Sequence, residues 1–260
     1  MDRLLALCFA LLLISFSAYA ENLPYGYQPI PMRVIKPFLT TNQVLSPEEF
    51  LATPYVIGLA PEHERTAEGD LIYARCPNGL LAEGRYNVFH KGKAYVDPQS
   101  KEILGYTALN TADAQLIHTG DPATLLITKS YMETAKEDRL MPYSDPLQNR
   151  VAITPHVASS TINGQIIASL NELSALGQYQ PVVINQGSHD GLNVGDVLTI
   201  HKSGASVVDP HQAGKLITLP DTANGRLMVF RTFKRVSYAI ILSATSTVHL
   251  LDKVSGLAVM

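Results

Sequence analysis

The sequence has no tryptophan, only two cysteines and only 17% charged residues. Each shortage excludes something. Lys and Arg number 20 against 23 Asp and Glu, for a net charge of -3. Lys234-Arg235 is the one adjacent basic pair, read as a solvated strand edge. A weakly acidic chain without a basic run is a poor match for nucleic acid. After an N-terminal leader that carries Cys8, only Cys76 remains, so no internal disulfide is expected. Beyond that leader no apolar run is long enough to cross a membrane.

Catalytic signatures are also missing. The eight histidines form no HExxH and no helical pair, there is no GxSxG elbow, and no Gly-rich loop carries the lysine of a phosphate cradle. His90 and His201 suit a packing or hydrogen-bonding role, His63 and His189 fall in turns, and Cys76 precedes the turn Pro77-Asn78-Gly79. Asp121, Glu133, Glu137 and Asp138 are scattered and read as solvated. No catalytic, cofactor-binding or metal-ligating residue is expected, and no cofactor. The chain reads as a non-enzyme.

Residues 1–20 read as a secretory signal peptide. Arg3 supplies the positive end, Leu4 to Phe16 the apolar core, and Ala18-Tyr19-Ala20 the small residues before a cut at Glu21. Cys8 lies inside the apolar run, which argues against lipidation. A periplasmic location is expected. Residues 21–54 follow as a Pro-rich arm and short helix. Prolines 24, 29, 31 and 37 make the arm extended, with one turn of helix over Met32 to Lys36 compatible with it. Ile30, Ile35 and Phe38 are expected to strap the arm across the first unit's core. Ser46-Pro47-Glu48-Glu49 is a capping-box helix start, and Thr53-Pro54 a stop.

From Tyr55 onward short β-branched and aromatic runs alternate with turn signals such as Asp190-Gly191, Asn224-Gly225 and Lys91-Gly92. The expected strands are 55–59, 71–75, 86–90, 124–128, 182–185, 197–201, 216–219, 227–233 and 238–243. The run 166–176 is too polar at Asn171 and Ser174 to read as a helix. In Val182 to Ile200, Gly187 permits a bend, Leu192 tucks inward, and Asp190 and Asp196 accept hydrogen bonds from their own loop amides.

A phrase is said twice. His90 opens HKGKAYVDP and His201 opens HKSGASVVDP, and the copies run on until Asp138 in KEDRL answers Asp252 in LLDKV. Two tandem copies of one β module follow, with the His-Lys pairs expected to coincide on superposition. The fold class is mainly β: two tandem small β-barrel or sandwich-like units over 55–142 and 151–260, joined by a linker at 143–150.

Long blocks also resemble a known family. Ile35-Lys36-Pro37-Phe38-Leu39, Ala52 to Ile57 (ATPYVI), Tyr95 to Gly105, Asp138 to Pro142, Gly177 to Gly195 and Met228 to Phe233 (MVFRTF) look like the region downstream of the LysM module in exported peptidoglycan-binding proteins of Gram-negative bacteria. The resemblance covers nearly the whole mature chain, yet the YxVxxGDTLxxIA-type LysM signature itself is not present, so LysM binding is not carried over. The DGLxxGD phrase also resembles small barrels of bacterial envelope assembly factors. The resemblance implies a non-catalytic periplasmic binding or scaffold protein, associated with peptidoglycan or an envelope complex. An assembly or secretion-machine component docking on protein neighbours is the alternative, and a wall-active enzyme a third reading. No individual binding residue and no oligomeric state follow.

Overall fold

The computed structural model describes residues 29–40, 42–60, 66–144, 152–212 and 214–256. The signal-peptide reading, Cys8, His63, the arm before Pro29 and linker residues 145–150 lie outside the described residues.

The chain opens with β1 (Ile30–Pro31), helix α1 (Met32–Thr40), β2 (Asn42–Leu45) and helix α2 (Pro47–Ala52). Six strands then follow: β3 (Tyr55–Leu59), β4 (Leu71–Arg75), β5 (Arg85–Val96), β6 (Ile103–His118), β7 (Ala123–Ser130) and β8 (Arg139–Pro142). They close into a barrel in the order β6-β5-β8-β3-β4-β7, with β7 returning to β6 and β2 added outside on β6. After β9 (Ala152–Ile153) and β10 (His156–Val157) the second barrel uses β11 (Asn163–Ser169), β13 (Pro181–Ile184), β14 (Asp196–Lys202), β17 (Thr222–Thr232), β18 (Ser237–Ala244) and β20 (Lys253–Gly256). Its order is β14-β17-β18-β13-β11-β20, closed from β20 to β14. Two small ladders decorate it: β12 (Ala175–Leu176) with β19 (Val248–His249), and β15 (Ser206–Val208) with β16 (Leu216–Thr218). Closure leaves few free strand edges.

The two barrels share one topology. Counted along the chain, in each barrel the first stave pairs with the second and the sixth, the second with the fifth, the third with the fourth and sixth, and the fourth with the fifth. All these pairings are antiparallel. The register agrees residue by residue. Ile72 faces Leu125 and Tyr73 faces Thr124, as Val182 faces Ala239 and Val183 faces Tyr238. Because strand side chains alternate, Ile72 and Leu125 point into the first core with Val56, Val88 and Leu140, while Val182 and Ala239 point into the second with Ile166, Ile200 and Val254.

The His-Lys pairs do not coincide. Phe89 faces Arg139 across β5–β8, whereas His201 faces Lys253 across β14–β20, so His201 takes the place of Phe89 and Lys202 that of His90. A bulge stands at this same place in both barrels, between Val88 and Phe89 and between Ile200 and His201.

Four sequence expectations are corrected here. The arm is not extended: α1 runs nine residues with Pro37 inside it. Pro37 has no N–H for the Arg33 carbonyl, a cost of about 3 kcal/mol. Met32, Ile35 and Leu39 are buried along one face, and each buried side chain contributes roughly 1.5–3 kcal/mol. Tertiary packing therefore wins over local preference. Nor does the arm strap the first core. Ile30, Met32, Ile35 and Leu39 pack with Val183, Met228, Phe230, Tyr238 and Ile240 on the outside of the second barrel, and β1 pairs with β9. The arm region 21–54 also contributes β2 to the first sheet. Finally, Lys91-Gly92 is a bulge within β5, and Asn224-Gly225 lies inside β17 rather than in a turn.

Candidate binding cleft between the barrels

The β5–β6 hairpin reaches past its own barrel and leans on the second. Tyr95 and Leu104 are buried there among the outward side chains of β13, β17 and β18. Polar contacts fix the hairpin tip: Asn185 Nδ2 donates to Asp97 Oδ2 at 2.8 Å, and the Arg235 guanidinium holds both oxygens of Glu102. Lys234 reaches Glu49 at 2.9 Å. The basic pair read as a solvated strand edge is therefore a clamp between units. Arg231 donates to the Leu39 carbonyl at 2.9 Å, and burial there pulls its pKa down.

Where the tip meets the second barrel a cleft of about 440 Å3 opens. Its floor is Gly164 and Val254; a side chain at Gly164 would strike Gln186 Cγ and Asn185 Oδ1, at 2.6 and 3.0 Å. One wall comes from the hairpin, through Asp97 and Gln99. The other comes from β11, β14 and β20, through Asn163, Gln165, His201, Lys253 and Ser255. One ion pair lies in the lining. Lys253 Nζ lies 2.7 Å from Asp221 Oδ2 and, as hydrogen-bond donor, holds that carboxyl below its ordinary value. Burial pushes Asp97 up, but donation from the Ser100 amide, Asn185 and the Gln99 amide outweighs it and leaves it lowered. What faces the opening is mostly amide, hydroxyl and imidazole. His201 Nε2 meets Ser255 Oγ at 2.8 Å, the Gln165 amide N–H donates to Asn185 Oδ1 at 2.6 Å, and the buried Gln165 Oε1 accepts nothing from the described residues.

Among the described residues no group of three or more His, Cys, Asp or Glu is placed to hold a metal ion. His90 does hydrogen-bond, to Asp138 at 2.7 Å, but Asp138 is buried rather than solvated. Burial raises its pKa, against the Ala135 amide and His90, which lower it. The reading of Asp138 as solvated fails because its neighbours in sequence are polar while its own carboxylate folds back into the turn. Asp121 is exposed and paired with Arg75 at 2.8 Å, and Cys76 is a half-buried free thiol against the first core. Asp190 and Asp196 accept the Gly187 and Asn193 amides at 2.8 and 2.7 Å, and Leu192 is buried, as the loop sequence implies. None of these falls in the cleft; only His201, of the residues singled out in sequence, does. The rest of the lining comes from strands far apart in the chain. Its one sequence trace is Asn185-Gln186, two amides directly after the apolar strand Val182 to Ile184.

Compared with protein-family models and with curated proteins, the chain finds no match.

Proposed function

We propose that this chain is a non-catalytic, exported envelope protein that works as a binding scaffold, with the cleft between its barrels as the seat of a neutral, hydroxyl- and amide-bearing ligand such as a peptidoglycan glycan strand. The observation that supports the reading is the cleft's chemistry: amides, a hydroxyl and an imidazole around a glycine floor, with Lys253 paired to Asp221 and Asp97 held by neutral amide donors. Such groups exchange hydrogen bonds with sugar hydroxyls and N-acetyl groups without paying to desolvate an unpaired charge. The volume falls in the range of small-ligand sites. The signal-peptide reading and the family resemblance support a location on the wall side of the inner membrane.

The test is co-sedimentation of the purified protein with peptidoglycan sacculi. Wild type is expected in the pellet, and Gln165→Ala combined with His201→Ala in the supernatant, with no muropeptide release by either. Recovery of wild type wholly in the supernatant sinks the glycan reading; release of muropeptides sinks the non-catalytic one. The second reading, an assembly component docking on protein neighbours, is favoured by the bare β15–β16 hairpin.

A further inference from the structure

The β15–β16 hairpin is the second barrel's counterpart of the β5–β6 tip. Both carry Val-Asp-Pro at the turn. The Asp97 amide donates to the Glu102 carbonyl and the Asp209 amide to the Lys215 carbonyl, each at 2.8 Å, so Glu102 and Lys215 close their hairpins at the same place. The fates of the two tips differ. Tyr95 and Leu104 are 9% and 4% exposed, docked on the following barrel. Val207 and Ile217, at the matching positions, are 40% and 41% exposed, with Val208 and Leu216 barer still. The chain holds no third barrel among its described residues for this tip to meet.

The face that receives the first tip has a counterpart too. Val183 corresponds to Tyr73, Ile240 to Leu126, and Phe230 to Ile117, following the shared register. On the second barrel these positions are buried by the hairpin and α1; on the first, Tyr73 and Leu126 are half-buried and Ile117 is 45% exposed.

The charges at the corners complement one another. In the docked tip Asp97 meets Asn185 and Glu102 meets Arg235. Asn185 follows Ile184 as Arg75 follows Ala74, and Arg235 stands two residues before Ser237, which faces Ile184, as Asp121 stands two before Ala123, which faces Ala74. Transposed, Asp209 meets Arg75, and Lys215 meets Asp121. Both pairs are opposite in sign, and the second is the Glu102–Arg235 pair with its charges exchanged. Arg75 and Asp121 are exposed and already held together, ready to extend into a row of four alternating charges.

We propose that the β15–β16 hairpin of one copy docks on the outer face of the first barrel of a second copy, around Tyr73, Ile117 and Leu126, repeating between molecules the contact that joins the two barrels within one. The interface is heterologous, so association is head to tail and builds rings or filaments rather than a closed two-fold dimer. The apolar patch supplies attraction. The corner charges, being exposed, fix orientation more than affinity.

Sedimentation velocity from micromolar to near-millimolar protein tests this. Wild type is expected to gain mass with concentration. Ile217→Asp, at an exposed position, is expected to stay monomeric with an unchanged urea midpoint. Lys215→Glu is expected to weaken association about tenfold or more, because attraction at the corner becomes repulsion. Lys215→Glu with Asp121→Arg together re-creates the Glu102–Arg235 pairing and is expected to restore it. A wild type that remains monomeric throughout overturns the proposal, as does association that Ile217→Asp leaves intact or that the double reversal fails to recover.

Discussion

The carboxylates of Asp138 and Asp252 perform one task in two barrels. Each accepts the amide of the residue three before it, Ala135 or His249, at 2.9 Å. Each follows a residue held at φ of 72°, Glu137 or Leu251. Each also offers its carbonyl to the first stave, at Val56 or Ile166, which returns the bond to Glu137 or Leu251. The turn launches the closing strand of each barrel. Asp138→Ala and Asp252→Ala leave an amide without its acceptor, a loss of about 1–3 kcal/mol each. Urea midpoints are expected to fall for both, while Asn, which keeps the acceptor oxygen, costs less at either position.

Asp138 carries a pH dependence of determinate sign. Burial raises its pKa above 3.8. The folded state thus holds this proton more tightly than the unfolded chain does. Stability from the protonated form is fully present below the ordinary value and is lost as pH rises through the folded value. Asp138→Asn has no proton to lose. Its stability relative to wild type is expected to improve between about pH 3 and pH 5. Urea unfolding at the two pH values reads the difference; a deficit of the variant that is constant, or that widens as pH rises, contradicts the sign.

Gly187 sits where the loop after β13 presses on the β17–β18 turn. A Cβ there would lie 2.4 Å from the carbonyl oxygens of both Phe233 and Lys234, neither of which moves without the strand. Those carbonyls accept the Ser188 and His189 amides at 2.8 and 3.1 Å. Gly187→Ala is expected to cost about 2–4 kcal/mol, among the larger single-substitution effects. Gly177→Ala, with open space around it, serves as the control.

The class of fold was legible because the barrel staves follow simple rules. Val182 to Ile184 and Tyr238 to Leu242 are compact β-branched and aromatic runs, and turn residues separate them. Strand β6 was not among the expected strands. Its sixteen residues include Ala112 and Ala114, small side chains that fill a tight barrel yet carry little β preference. The repeat was visible in HKxG and VDP, but identity of letters misplaced the register by one. The dependable equivalences are hydrogen bonds: Asp70 and Gln180 close like turns onto the Ala67 and Gly177 amides although the residues differ. Helix α1 was hidden by Pro37, since the partner that favours it lies two hundred residues away. The cleft was hidden for the same reason, being built from a hairpin of one unit and three strands of the other.

The arm gives the last prediction. Ile35 is fully buried, and with Met32 and Leu39 it joins Met228, Phe230 and Tyr238 in one apolar layer between α1 and the second barrel. Beneath it the Phe233 and Tyr238 rings meet edge to face at 4.9 Å. Ile35→Ala removes three carbons from this layer and costs about 2–5 kcal/mol, as large-to-small changes do in cores. Neither barrel interior is touched, because the inward residues Val182, Leu227 and Ile241 belong to a separate cluster. The loss is therefore expected to appear first as release of α1: cleavage after Arg33 by trypsin under native conditions, before any fall in the far-ultraviolet strand signal. Loss of both signals together would mean that α1 and the second barrel unfold as one unit.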